Sequence, residues 1–496
     1  MSNPATQAAG GAEGATIELS EFDKLLDTSF KPKTDEAKSA VKSAVQILAE
    51  EALKGTVVRR DDILTYIEDV IAGIDKKLSD QLNVIMHHED FTKLEGSWRG
   101  LHHLVFNTET GTDLKIKVMD VSKKDLHRAL KSYKGANWDQ SPVFKKLYED
   151  EFGTPGGQPY GALVGDFEFD HTGPDIELLR DLSKIAAAAH CPFLAAAGPR
   201  LMGMDTWQEL GDKRDIAKIF DTTEYAGWRS LRESEDARFI GLAMPRFLSR
   251  LPYSTANNPV DAFAFEEDAH SSNHQNFVWS NAAFAMGTNI TRAFKKHGWC
   301  ACIRGLESGG IVDGLPVHTF PTDDGGVDMK CPTEIAITDR REHELAHAGF
   351  MPLSHYKNTD YACFFGAQSL QKPAKYEDKD ATANANLSAR LPYLFATSRF
   401  AHYLKCIVRD KIGSFKERDD MQRWLNDWIM NYVTDSQASD EMKARYPLSG
   451  AQVEVQADPE NPGYYKAQFY LRPHFQLEGV NISLRLVARL PKEKQG

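Results

Sequence analysis

No nucleotide cradle is present in this chain of 496 residues. Neither Gly-x-x-x-x-Gly-Lys-Ser/Thr nor Gly-x-Gly-x-x-Gly occurs, so no backbone loop is marked as a phosphate holder. Gly-x-Ser-x-Gly is missing too, which leaves a hydrolase nucleophile elbow unsupported. Long apolar runs are lacking: the most apolar stretch, 185–198, is interrupted by His190 and Pro192. It falls short of the roughly 20 residues that span a bilayer, so no membrane insertion is expected. The N-terminus carries no basic segment followed by an apolar one, and no secretory signal is expected. Cysteine is sparse, six in all without a Cys-x-x-Cys, which suits reduced thiols in a cytoplasmic protein better than a disulfide scaffold. Cys300 and Cys302, one residue apart, suit one face of a strand. Basic charge is in deficit, 59 Lys and Arg against 71 Asp and Glu for a net charge of −12. That argues against a nucleic-acid partner.

With 42% hydrophobic residues the chain has ample material for cores. Its organisation is read as a mixed α/β (α+β) protein of several domains. Residues 1–60 form a partner-binding arm with a structureless Ala/Gly-rich start and helical patterns near 19–29 and 34–54. Residues 61–111 form a helical arm. There Ile63, Ile67, Val70, Ile74 and Leu78 recur at helical spacing as one apolar stripe that another surface must cover. Residues 112–380 alternate strands and helices. Strands are expected at 114–118, 160–165, 191–196, 333–337 and 361–365, and helices after Pro174 and over 277–296. The first of these helices between two strands makes a βαβ unit.

Residues 381–496 change character. Two long helices are expected, 383–413 and 419–433, followed by three strands with period-two alternation. Val453 and Val455 lie on one strand, Tyr465, Phe469 and Leu471 on the next, and Ile482, Leu484 and Leu486 on the third. An open edge of such a sheet accepts a strand from another chain. A closed, self-sufficient sheet fits the same pattern.

One motif has catalytic form: His343-Glu344-Leu345-Ala346-His347 is a literal His-Glu-x-x-His. On a helix the two histidines share a face and can bind zinc while the glutamate activates water. A third protein ligand is required, and none stands in register: Phe350 and Leu353 occupy the positions where a metzincin extension has Gly and His. The host helix is short and charged, so no catalytic residues, metal or cofactor are assigned.

Several long motifs carry a resemblance: 74–105 (IDKKLSDQLNVIMHHEDFTKLEGSWRGLHHLV), 165–171 (GDFEFDH), 244–253 (MPRFLSRLPY), 277–287 (FVWSNAAFAMG), 338–369 and 384–405. The chain resembles the large subunit of the type VI secretion contractile sheath, the TssC/VipB/EvpB family, over about 60–496. The resemblance implies a structural protein without enzymatic activity. It implies co-polymerisation with a small sheath subunit (TssB/VipA) into a helical tube around the Hcp inner tube, docking on baseplate components, and recycling by the ClpV ATPase. It also implies interlocking by strand exchange through the C-terminal strands and the N-terminal arm before Trp98. Arg399 and Arg409 are candidates for inner-tube contact. Two rival readings are a zinc-dependent hydrolase built on residues 343–347 and a phage-type tail sheath that polymerises unaided.

Overall fold

The computed structural model describes residues 63–211, 215–269, 274–321, 325–411, 418–457, 465–474 and 476. They fall into two compact units. Residues 63–82 with Ser254–Glu266 form one, and residues 83–253 with 267–476 form the other.

In the first unit the chain enters on α1 (Ile63–Met86), which begins there and runs on past Leu82. Val70 and Ile74 are half-buried, whereas Ile71 and Leu78 are exposed, so the stripe is only partly covered. Ser79 is buried, and its hydroxyl accepts the Glu266 N–H at 3.4 Å.

The second unit contains, in chain order, α2 (Glu89–Phe106), α3 (Lys123–Lys131), β1 (Leu163–Phe169), α4 (Gly173–Ala189), β2 (Phe193–Ala197), β3 (Ile240–Met244), α5 (Ala282–His297), β4 (Ile311–Val312), α6 (Asp339–His347), β5 (Phe350–His355), β6 (Ala362–Phe364), α7 (Lys379–Ser388), α8 (Leu391–Asp410), α9 (Arg418–Met430), β7 (Leu448–Ala457) and β8 (Tyr465–Pro473). The main sheet has the order β1-β2-β3-β5-β6-β4. Its first four strands are parallel, and β6 and β4 add on in antiparallel fashion. β2 and β3 are buried along their whole length, as parallel strands under helices should be. Helix α5 packs on β1, β2 and β3, and α2 packs on α5.

Local chemistry explains the helix ends. Asn281 caps α5 by accepting the Ala283 N–H at 2.8 Å, and Gly298 ends it at φ 79° behind Lys295, Lys296 and His297. Gly349, at φ 90°, ends α6 and turns the chain into β5.

Several expected elements differ. Residues 114–118 alternate but join no sheet, and Cys300 and Cys302 lie in a loop. Burial pushes the Cys300 thiol up to about 12. Thr333 makes one isolated bridge to Phe247, so 333–337 is no strand. The strand near it is β5, which period-two reasoning misses because it is buried on both faces and contains Pro352. The helix after Phe277 starts five residues later than expected, because Trp279–Ser280 pairs with Phe247–Leu248 first. The pattern over 383–413 is two helices, α7 and α8, broken at Ala389 and Arg390 ahead of Pro392.

A second core lies at the C-terminal end of the second unit. Trp299, Phe400, Leu404, Leu425, Ile429, Leu448, Val453 and Val455 close it. Helix α9 packs directly on β7.

The seating of α2 sets a prediction. A Cβ on Gly96 would stand 2.4 Å from the Trp279 carbonyl oxygen, and one on Gly100 would stand 2.4 Å from the Phe284 ring. The first obstacle is backbone and has to shift. Gly96→Ala is expected to lower stability by about 1–3 kcal/mol in urea unfolding of the purified protein. Unchanged stability would mean that α2 is not seated this closely.

Candidate assembly surfaces

Helix α2 has two working faces. Gly96, Gly100 and Leu104 form the buried one, against Trp279 and α5. On the other side Phe91, Leu94, Trp98 and Val105 recur at steps of three, four and seven, an apolar stripe at coiled-coil-like spacing. Leu94 is 56% and Trp98 66% exposed, and Phe106 continues the patch. An exposed apolar stripe this large is the kind of surface that marks interaction sites.

The helix is held by charge. Arg250 is buried between two carboxylates. Its Nε and Nη2 donate to Glu95 at 2.6 and 3.2 Å, and its Nη1 and Nη2 donate to Glu267 at 2.6 and 3.0 Å. Arg99 adds a donor to Glu95 at 2.7 Å and reaches the Tyr253 hydroxyl at 3.1 Å. Burial alone would raise the Glu95 carboxyl, but the hydrogen bonds and charge of Arg250 and Arg99 hold it below its ordinary value. A second pair lies nearby in sequence. Arg246 grips Glu334 through Nε at 3.0 Å and Nη2 at 2.7 Å, and the Arg246 N–H also donates to it at 3.1 Å. His274 Nε2 stands 3.7 Å from the same carboxylate.

Four of the six motifs that carried the resemblance therefore meet in space. The Glu95–Arg99 stretch meets Arg250 and Trp279 to Asn281, Asn281 meets Gly165-Asp166, and Arg246 stands 3.6 Å from Glu168 of that same motif. Ser280 Oγ donates to the Gly96 carbonyl at 2.6 Å, and Asn281 Nδ2 reaches the Gly165 carbonyl at 3.4 Å and Asp166 at 3.3 Å. What these contacts do is hold α2, β1 and the start of α5 together.

The C-terminal hairpin is the second surface. Val453 and Val455 point into the second core, with Phe469 and Leu471 packed against it. Tyr465, expected on the same face, is exposed. Ile482, Leu484 and Leu486 lie outside the described residues, as do the side chains of Ile63 and Ile67. The outer edge of β7 is sealed: the Val455 N–H donates to Gln422 Oε1 at 3.1 Å, and the Leu448 backbone pairs with Tyr432 and Thr434. Because Val455 faces Ala467 in register, Ala467, Phe469 and Leu471 turn their backbone groups away from β7. Among the described residues no backbone group pairs with that edge of β8.

Arg399 and Arg409 are used within the chain. The Arg399 guanidinium lies 5.4 Å from the Phe294 ring and 4.7 Å from the Tyr403 ring, and Arg409 reaches Cys406 Sγ at 3.8 Å. The residues of the His-Glu-x-x-His motif sit on α6 with both histidines exposed. The base of a zinc hydrolase is not free there. Glu344 is engaged by Arg340 at 2.9 Å and by Arg341 at 2.8 Å. Among the described residues no three His, Cys, Asp or Glu converge on a metal position. No helix among them is long and apolar enough to cross a membrane.

Buried ion pairs beneath an exposed apolar stripe, together with an exposed strand edge, suit a structural assembly protein. Comparison with known proteins gives its class. Residues 68–371 match the family described as "EvpB/VC_A0108, tail sheath N-terminal domain", and residues 380–490 match "EvpB/VC_A0108, tail sheath gpW/gp25-like domain". The chain is 61% identical over 497 residues to the type VI secretion system sheath protein TssC1 of Pseudomonas aeruginosa, covering all of both chains. It belongs to the EvpB/VC_A0108 tail sheath family and is a type VI secretion sheath protein. A chain in a cryo-EM structure of the anti-feeding prophage baseplate overlaps 76% of this chain and 83% of its own length, at 11% identity and a TM-score of 0.38. One in the contracted helical sheath of the same prophage overlaps 79% and 86%, at 11% identity and a TM-score of 0.33.

The buried pairs make stability depend on pH. Burial would raise the Glu334 carboxyl, but Arg246 and His274 bring it down to about 2 from an ordinary 4.5. A depressed carboxylate contributes stability that is complete above pH 4.5 and lost as pH falls toward 2. The difference corresponds to about 3 kcal/mol. Urea unfolding between pH 5 and 3 should show a falling midpoint, and Glu334→Gln should flatten that slope while lowering stability at pH 7. An identical pH slope in the variant would contradict the assignment.

Proposed function

We propose that this chain is the large subunit of a two-component contractile sheath. It co-polymerises with a small sheath subunit of the TssB/VipA kind into a helical tube around an Hcp-type inner tube. Contraction of that tube drives effector delivery. The sheath docks on baseplate components and is recycled by a ClpV-type ATPase. The single observation that carries the reading is the end-to-end match, at 61% identity, to a type VI secretion sheath protein. The chain acts in the cytoplasm and is not an enzyme; the engagement of Glu344 by two arginines counts against the zinc-hydrolase reading in particular.

The two surfaces divide the work. The outer edge of β8 accepts a strand from another chain, since its backbone groups point outward while the inner face is already packed. The segment at 482–490 and the part of the N-terminal arm upstream of α2 are the segments offered in exchange. The apolar stripe of α2 receives an amphipathic helix of the small subunit, read through anchors at i, i+3 and i+7. Of the two arginines, Arg409 is the better candidate for inner-tube contact, because Arg399 already lies over two rings. A contact that repeats without closing builds a helical tube. Work comes from the free-energy difference between two packings, so this chain needs no nucleotide of its own.

Co-expression with the small subunit is expected to give long hollow tubes in negative-stain microscopy, and expression alone is not. Tubes from the single chain would favour the phage-type sheath instead. Ala467→Pro removes an outward-facing N–H without touching the hairpin's own ladder. It should leave the subunit folded and co-purifying with its partner while abolishing tubes. Trp98→Glu should do the reverse first, cutting co-purification at least tenfold in pull-down at unchanged thermal stability. Normal assembly of either variant would remove that surface from the scheme.

A further inference from the structure

The sheath reading leaves one constellation unused. His343 and His347 stand one turn apart on α6, both exposed, with their Nε2 atoms 3.1 Å apart. The rings meet nearly at right angles, with centroids 4.4 Å apart. We propose that this pair is a two-ligand half-site for a divalent transition metal of the zinc, nickel or copper class, with no hydrolytic role.

The argument is geometric. Two imidazole nitrogens on a tetrahedral zinc, each about 2.0–2.1 Å from the ion, lie roughly 3.3 Å apart. On adjacent corners of a square-planar ion they lie about 2.9 Å apart. The observed separation falls between these values, so one ion can span both nitrogens once the rings turn their lone pairs toward it. The helix beneath them is firmly held. Thr338 caps its start, and Leu345 is buried on its inner face. Buried Arg232 donates to the His347 carbonyl at 3.2 Å and to the Leu370 carbonyl at 3.0 Å. A chelate on such a helix loses little entropy on binding.

The site stops at two protein ligands. Both Glu344 oxygens face arginine, and among the described residues no further His, Cys, Asp or Glu completes a set of three. Water or a donor from outside this chain fills the remaining positions. This separates the site from a hydrolytic centre, which needs three protein ligands and a free base. A neutral hydrogen bond between the two rings produces the same contact without metal, so the test must separate the two.

The experiment uses the full chain in its purified assembly, stripped with chelator and dialysed, then titrated with zinc chloride and nickel chloride. Calorimetry and elemental analysis read the binding. One equivalent per chain is expected above the weak background of other histidines. His343→Asn and His347→Asn should each weaken that equivalent about tenfold or more, because a chelate needs both nitrogens. Glu344→Gln should leave it unchanged. Tube formation, measured on the same samples, reports the sheath reading separately. Binding that is equal in parent and both histidine variants overturns the proposal and leaves a hydrogen bond only. Loss of binding in Glu344→Gln overturns it as well, since the centre would then have three ligands.

Discussion

Arg250 is the side chain on which the seating of α2 in the second unit depends. It is buried between Glu95 and Glu267 and spends four hydrogen bonds on them. One guanidinium facing two carboxylates leaves a negative excess, which Arg99 offsets from the next turn of α2. Removing one member of such a pair strands a buried charge at a cost of about 3–5 kcal/mol. The clamp does more than stabilise. It fixes the rotation of α2, so that glycines face the Trp279 carbonyl and the Phe284 ring while Trp98 and Leu94 face outward. Orientation by buried charge and close approach by glycine together create an apolar surface on a rigid support.

The C-terminal hairpin follows a related logic with backbone groups. One face of β7 and β8 is committed to an aromatic-rich core, and one edge is closed by the Gln422 side chain and the Tyr432–Thr434 backbone. Among the described residues, what is left is the β8 edge. A backbone ladder is indifferent to the side chains of an incoming strand, which is why the proposed exchange at this edge suits a joint that has to hold while subunits repack. Each hydrogen bond contributes only about 0.5–1.5 kcal/mol, yet repetition along a tube makes the joints collectively strong.

Legibility in the sequence tracked the physical signal. The βαβ unit was readable because Pro174 marks a helix start between two apolar runs, and β1 and β2 are parallel as expected. The alternation of Val453, Val455, Phe469 and Leu471 gave the hairpin and its packed face. β5 was not readable, because burial on both faces erases alternation and Pro352 argues against a strand. Residues 114–118 show the opposite failure: alternation without a sheet partner makes no strand. The gap between α7 and α8 was signalled only by Pro392. The Arg250 clamp and the sealing role of Gln422 join residues far apart in the chain, and no local pattern announces them. The motifs at 74–105 and 244–253 contain Glu95, Arg99 and Arg250, while Glu267 and Gln422 lie outside every motif and are brought in only by the fold.

The central claim is that the outer edge of β8 is an acceptor for another chain. A helical cryo-EM reconstruction of tubes assembled from this chain and its small subunit tests it most directly. The scheme requires a strand from a neighbouring protomer hydrogen-bonded along Ala467, Phe469 and Leu471. An edge facing solvent, or one covered by residues 482–490 of the same chain, would contradict it.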